Sequence, residues 1–121
     1  MTAFKYNLDI DQGTTFSEKV VWKTGALKIP VDLTGCTANA QIREKIGSDS
    51  ILLELSTVNG GIILGGITGE IEFYLPPIIT NDISWKHGVY DMKIYFPNGK
   101  IIKKLYGSVT ITQTVTQTLL Y

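Results

Sequence analysis

The chain of 121 residues is long enough for one domain with a hydrophobic core of its own. Its eleven basic and eleven acidic residues cancel, which argues against nucleic-acid binding and against a polybasic membrane-binding surface. The single cysteine excludes an intrachain disulfide, and no run approaches the roughly 18 apolar residues of a membrane helix. Because the N-terminus also lacks the apolar core of a signal peptide, we expect a soluble protein made in the cytoplasm.

The first third of the chain predicts three strands in which apolar and polar residues alternate. Residues 4–10 form the first strand, with a polar outer face, and residues 16–22 form the second. A turn at residues 23–25 follows. The third strand covers residues 36–43. Cys36 falls on the apolar side of this strand, so we expect a buried and unreactive thiol.

The middle of the chain predicts three further strands. A polar loop precedes them, and short glycine-rich turns separate them. The three strands cover residues 51–56, 62–64 and 70–75.

A short helix or helical turn is predicted near residues 78–84. The two prolines before it end the preceding strand, because proline cannot donate to a central β-ladder. Thr80 or Asn81 is the predicted cap of the helix. The helix would direct Ile79 and Ile83 towards the core.

A long β-hairpin from residue 85 to residue 112 organises the predicted fold. Asn98-Gly99 lies between two apolar runs, which is a strong hairpin signal. The residues predicted to face the core are Tyr90, Met92, Ile94, Phe96, Leu105, Gly107, Val109 and Ile111. Tyr90 follows Gly88 and resembles a tyrosine corner, in which the hydroxyl binds the backbone upstream.

The sequence predicts eight or nine short strands in all. Their regular spacing along the chain is typical of sandwiches and barrels. We therefore predict an all-β fold, an antiparallel immunoglobulin-like β-sandwich formed as one domain by residues 1–121. A small closed barrel is the alternative. Residues 113–121 form a C-terminal arm of high β-propensity with an apolar end.

The sequence predicts no catalytic, cofactor-binding or metal-binding residue. Asp9, Asp11 and Gly13 imitate the start of a calcium loop, but an EF-hand needs further oxygen ligands and flanking helices. His87 is the single histidine and is interpreted as a loop residue. Glu70 and Glu72 share a strand face and are interpreted as an exposed acidic stripe. The protein is therefore predicted not to be an enzyme.

Three tyrosines, Tyr74, Tyr95 and Tyr106, are predicted to point outward from their strands. Outward aromatic side chains on a sheet most often contact another protein chain or a neighbouring strand. A carbohydrate-binding face is the alternative.

Three stretches occur in an order that is similar to a family of small virion proteins of tailed bacteriophages. They are Asp11-Gln12-Gly13-Thr14-Thr15-Phe16, then Val31-Asp32-Leu33-Thr34-Gly35-Cys36-Thr37-Ala38 with Gln41-Ile42-Arg43, then Gly88-Val89-Tyr90-Asp91-Met92 with Tyr106-Gly107-Ser108-Val109. The family shows D-Q-G-A-T-F, D-L-T-G-Y-T-A with Q-I-R, a Y-D-L strand and a G-x-V-x-V strand in that order. The resemblance covers residues 6–116, and Cys36 stands where an aromatic residue is common.

The resemblance implies an immunoglobulin-like component of the phage particle, similar in outline to the N-terminal domains of baseplate proteins. It implies a structural role in the virion, at the tail, baseplate, collar or head–tail junction, and it brings no catalytic residues. The expected partners are copies of this chain and other virion proteins, with no nucleic acid, membrane, cofactor or small-molecule substrate.

The contact residues that we predict for this assembly are Tyr95, Tyr106, Leu119, Leu120 and Tyr121, with the strand edge at residues 100–106. Terminal arms and strand edges of one copy can pair with the next copy in a ring. A carbohydrate- or receptor-binding module is the alternative function. A small enzyme is the third, and it would need His87 in a cleft beside a carboxylate.

Overall fold

The structure is a computed structural model that describes residues 3–116. The strands, in chain order, are β1 (Phe4–Lys5), β2 (Leu8–Asp11), β3 (Phe16–Val21), β4 (Lys23–Thr24), β5 (Ile29–Pro30), β6 (Thr37–Arg43), β7 (Leu53–Ser56), β8 (Ile62–Leu64), β9 (Glu70–Leu75), β10 (His87–Tyr95) and β11 (Ile101–Thr112). One helix, α1 (Pro77–Asn81), and a 3-10 turn at Gly66–Thr68 complete the described elements.

Two sheets form a sandwich, as the sequence predicts. The large sheet has the strand order β1-β11-β10-β6-β7, and β2 also pairs with β11. The small sheet has the order β3-β9-β8, and β4 and β5 form a separate hairpin. The sheets do not join into a closed barrel within residues 3–116, so the barrel alternative is wrong.

The large sheet is mixed rather than purely antiparallel. β11 pairs antiparallel with β10 but parallel with both β1 and β2. β1 and β2 run along the outer edge of β11 in the same direction as β11, which produces the parallel pairing. The predicted antiparallel pairing holds for the other strand pairs, and the parallel pairs at this edge are an addition to it.

The hairpin of β10 and β11 lies at the centre of the large sheet. Met92, Ile94 and Val109 are fully buried, as the alternation predicts. The turn between the strands closes where Asn98 Oδ1 accepts from the Lys100 amide at 2.9 Å. Gly99 has φ +90°, a conformation that glycine adopts without steric cost.

A β-bulge interrupts this hairpin at Lys104. Met92 pairs with Leu105, and Lys93 pairs with Lys103, so Lys104 has no partner on β10. A bulge places an extra residue on one strand and changes the direction of its side chain. Lys104 and Leu105 therefore both lie on the buried side, with Lys104 only 3% exposed.

The predicted first strand at residues 4–10 is broken in two. β1 ends at Lys5 and β2 begins at Leu8, and Phe4 is 64% exposed instead of half-buried. The Asn7 side chain fills the break, where its Oδ1 accepts from the Ser108 amide at 3.0 Å. This side-chain hydrogen bond takes the place of one backbone hydrogen bond of the β-ladder.

The helix is shorter and lies earlier than predicted. It begins at Pro77, a residue whose fixed φ suits the first helical turn, and no side chain caps it. Thr80 lies inside the helix and is fully buried, so neither it nor Asn81 is the cap. Ile83 reaches the core, but Ile79 is 39% exposed.

Other differences concern short segments. Strand β7 covers only the last four of the six residues predicted as a strand at 51–56, and residues 23–24 begin a hairpin instead of a turn. The described strands number eleven, more than the eight or nine predicted, because three of them have two residues each. Their alternation is too short to be visible in the sequence.

Candidate interaction surfaces

The outer face of the large sheet carries an exposed aromatic and apolar pair at one end. Tyr95 on β10 lies opposite Ile101 on β11 and opposite Thr37 on β6. Tyr95 is 37% exposed and Ile101 is 56% exposed. Directly opposed residues on one sheet face contact each other, so these side chains form one surface.

Tyr106 on β11 lies on the same outer face. Its pairing position on β10 is four residues before Tyr95. It pairs with Asp91 on β10 and with Lys5 on β1, and it is 40% exposed. The Lys103 ammonium lies 5.4 Å from the centroid of the Tyr106 ring and 3.8 Å from Asp91 Oδ2. At about 3.3 Å per residue, Tyr95 and Tyr106 are separated by about 13 Å along the strands.

A shallow cavity of about 450 Å³ opens beside Tyr106, and we call it the sheet cavity. Its polar and aromatic lining includes Gln41, Arg43, Lys45, Asp91, Lys103 and Tyr106. The Arg43 guanidinium donates to the Ser48 carbonyl oxygen at 2.7 Å and to Gln41 Oε1 at 2.8 Å. These bonds hold the loop after β6 over one side of the cavity.

Tyr74 points outward as predicted, but from the small sheet. It pairs with Ser17 on β3 and is 36% exposed. The three predicted tyrosines are therefore all exposed, and the sandwich divides them between its two outer faces. The structure places Tyr95 and Tyr106 on one outer face, with the pair of Lys93 and Lys103 between them, and Tyr74 on the other face.

A second cavity, about 390 Å³, lies at the open side of the sandwich between β1 and β3, and we call it the edge groove. Four lysines and three aromatic rings contribute to its lining: Lys5, Lys23, Lys28, Lys104, Phe4, Tyr6 and Trp22. The Lys104 ammonium lies 4.1 Å from the Trp22 ring centroid and 4.4 Å from the Phe4 ring centroid. Burial lowers the pKa of Lys104, because it disfavours the charged amine.

Sequence reasoning missed the edge groove. The signal that could have revealed it is the pair Lys103-Lys104, which breaks the alternation before Leu105. A polar residue at a position of a central strand where the alternation calls for an apolar residue indicates a bulge or a functional position.

The residues weighed for catalysis or metal binding are dispersed. Asp9 and Asp11 are exposed on β2, and residues 3–116 contain no group of three His, Cys, Asp or Glu side chains placed to bind a metal. His87 is exposed at the first position of β10, opposite Thr110, so it lies on a strand rather than in a loop. Glu70 and Glu72 share a strand face as predicted, but both are half-buried: Glu70 forms an ion pair with Lys19 at 3.3 Å, and Glu72 accepts from the Ser17 hydroxyl at 2.8 Å.

Cys36 is half-buried and packs against the core, so it is less buried than predicted. It lies one residue before β6, where the alternation has not yet begun. Burial raises the pKa of the Cys36 thiol, and the negative charge of Asp32 raises it further. Both effects favour the unreactive protonated form.

The remaining predicted contact residues have different outcomes. β1 pairs with Leu105 and Tyr106, so the edge at residues 100–106 is covered in part. Leu119, Leu120 and Tyr121 lie outside the described residues.

None of the helices in the described part of the chain is long and apolar enough to cross a membrane.

Comparison with solved structures identifies the architecture. A chicken TCR structure matches 94% of this chain with a TM-score of 0.54 and 10% identity. The extracellular domain of the voltage-gated sodium channel beta4 subunit matches 95% of this chain and 97% of its own, with a TM-score of 0.50 and 11% identity. The fold is an immunoglobulin-like β-sandwich, as predicted.

The chain spans 56% of the length of the TCR chain that it matches. No family model and no curated protein matches the sequence. At 10% and 11% identity, these likenesses establish the fold alone.

Proposed function

We propose that this chain is a non-enzymatic structural subunit of a tailed-phage virion. It acts in multiple copies at the tail, baseplate, collar or head–tail junction, in contact with itself and with other virion proteins. The motif resemblance supports the phage assignment. The observation that carries the assembly role is the exposed surface formed by Tyr95, Ile101 and Tyr106 on the large sheet.

Aromatic side chains are enriched in protein interfaces, where a partner removes their apolar area from water. The zero net charge of the chain supports the same role, because it lowers the repulsion between copies. The likeness to the beta4 domain adds that this architecture can self-associate, since that domain is described as a parallel homodimer with a role in cell–cell adhesion.

Light scattering over a concentration series tests the proposal. We expect a defined oligomer for the natural chain and a smaller species for the double variant Tyr95→Ser, Tyr106→Ser. Tyr74→Ser is the matched control, because Tyr74 is equally exposed but lies on the other outer face. A chain ending at residue 113 tests the contribution of the arm that contains Leu119, Leu120 and Tyr121.

Equal masses for all variants would contradict the role of these residues. A monomer at every concentration, with or without purified tail proteins of the same phage, would contradict the assembly role itself.

A carbohydrate- or receptor-binding module is the second candidate, and the sheet cavity favours it. An aromatic ring beside amide, guanidinium and carboxylate groups is a suitable surface for a sugar ring and its hydroxyls. Co-sedimentation with insoluble host cell-wall polysaccharide tests this candidate. Binding that Tyr106→Ala abolishes, with no oligomer in solution, would favour it over the assembly role.

A further inference from the structure

The edge groove concentrates positive charge on a chain that is neutral overall. Lys5, Lys23, Lys28 and Lys104 contribute to its lining, and none of the described residues that line it is acidic. The hydroxyl of Tyr6, which also lines the groove, donates to Glu18 Oε2 at 3.0 Å, so one carboxylate lies beside the groove and the four lysines outnumber it. The groove therefore attracts anions, although the whole chain has no net charge.

Lys104 is the most unusual of these lysines. The bulge turns it inward, and the rings of Trp22 and Phe4 flank its ammonium at 4.1 Å and 4.4 Å. An amine with little water around it interacts more strongly with an incoming anion than an exposed lysine does. The rings also provide apolar walls beside the charge.

The groove lies between two strand edges. In the described part of the chain β1 pairs with β11 alone and β3 pairs with β9 alone, so each strand has one free edge. A free edge offers backbone donors and acceptors to an extended peptide. Val20 and Val21 add aliphatic surface on the β3 side.

We propose that the edge groove binds an extended segment of another protein chain in which acidic and apolar residues alternate. The acidic side chains pair with the lysines, the apolar side chains contact Phe4 and Trp22, and the backbone pairs with a strand edge. An alternating sequence supplies both kinds of side chain on separate faces, because one face of an extended peptide carries every second residue. The inference rests on the proposed structural role and specifies how a neighbouring virion protein is recognised.

The probes are three capped decapeptides of alternating sequence, Glu-Val, Gln-Val and Lys-Val. The protein carries Trp85→Phe, which leaves Trp22, in the groove, as the single tryptophan. Trp22 fluorescence then reports binding. We expect the Glu-Val peptide to bind about tenfold or more tightly than the Gln-Val peptide, and to weaken as salt is raised. The Lys-Val peptide should not bind.

Two sets of variants localise the binding. Lys23→Gln with Lys28→Gln changes exposed hairpin positions without removing core contacts, and we expect Glu-Val affinity to fall at least about fivefold. Lys86→Gln with Lys93→Gln removes the same charge from exposed positions outside the groove and should leave affinity unchanged. Lys104→Met retains the apolar stem and should weaken binding most, with folding checked by circular dichroism.

Equal affinity for the Glu-Val and Gln-Val peptides would overturn the proposal, as would equal losses in the two paired lysine variants. Tighter binding of oligothymidylate than of the Glu-Val peptide would assign the groove to nucleic acid instead. Self-association that the Lys23→Gln, Lys28→Gln variant abolishes would make a second copy the occupant. The peptide titration uses the chain without other virion proteins, so its failure leaves the mass measurements on the tyrosine variants unaffected.

Discussion

The hydroxyl of Tyr90 on β10 donates a hydrogen bond to the backbone carbonyl oxygen of Tyr6, 84 residues earlier in the chain. This bond fastens the start of the chain to the centre of the large sheet. The sequence predicted an upstream backbone partner for Tyr90, and the structure has one, but it lies 84 residues away and not within the few residues of a tyrosine corner. The partner lies at the break between β1 and β2, where the backbone leaves the regular ladder.

Replacing Tyr90 by phenylalanine should destabilise the fold by about 1–2 kcal/mol. The aromatic ring still packs against Phe73, but the Tyr6 carbonyl oxygen loses its donor. Urea unfolding measures the difference. Tyr95→Phe removes an exposed hydroxyl and should change stability by less than about 0.5 kcal/mol. Similar effects of the two substitutions would contradict the role of the bond.

The cost of Tyr90→Phe should shrink at alkaline pH. Burial raises the pKa of Tyr90, and the neighbouring Tyr6 raises it further. The folded state therefore keeps its proton above about pH 10, where the unfolded tyrosine loses it, so this contribution to stability falls as pH rises. Urea unfolding of both proteins at pH 8 and pH 11 measures this. A constant difference would contradict the shifted titration.

Gly107→Ala should loosen the start of the chain. A Cβ at this position would lie 2.7 Å from the Tyr6 carbonyl oxygen and 2.7 Å from Asn7 Oδ1, closer than atoms can approach. We expect a loss of about 1–3 kcal/mol in the free energy of unfolding. Hydrogen exchange of the Tyr6 amide, which donates to the Tyr106 carbonyl oxygen, should accelerate. Ser108→Ala is the control, and unchanged exchange in Gly107→Ala would refute the prediction.

Thr80→Val should cost about 1–3 kcal/mol although the two side chains have nearly the same shape. The buried Thr80 hydroxyl donates to the Thr14 carbonyl oxygen at 2.7 Å, and valine leaves that oxygen without this donor. The bond joins α1 to the turn after β2. Thr37→Val, at an exposed strand position, is the matched control in thermal unfolding. A loss no greater than in the control would show that the bond contributes little.

Cys36 should react slowly with a thiol-specific disulfide reagent at pH 7.5, compared with free cysteine. Burial and the charge of Asp32 both raise the pKa of the thiol and reduce its thiolate fraction. Unfolding in urea should restore the normal rate. Asp32→Asn should increase the rate by less than unfolding does, because burial is the larger cause. A folded-state rate equal to that of free cysteine would contradict this account.

The sequence alone determined the strands whose alternation is long enough to read. The hairpin around Asn98-Gly99 and the buried set of Met92, Ile94 and Val109 follow directly from period-2 patterning and from the turn residues. The outward direction of the exposed tyrosines followed from the same parity. These features depend on residues that are close together in the chain, so the sequence is sufficient to predict them.

The tertiary structure decided what depends on distant contacts. The break at Asn7 requires Ser108, the buried Thr80 hydroxyl requires Thr14, and the inward direction of Lys104 requires the bulge opposite Lys93. The edge groove exists because β1 and β3, which belong to different sheets, and Lys104 from the distant strand β11 meet at the open side of the sandwich. The alternation of apolar and polar residues within one segment could not reveal these features. Each of them arises where that segment packs against another segment of the chain.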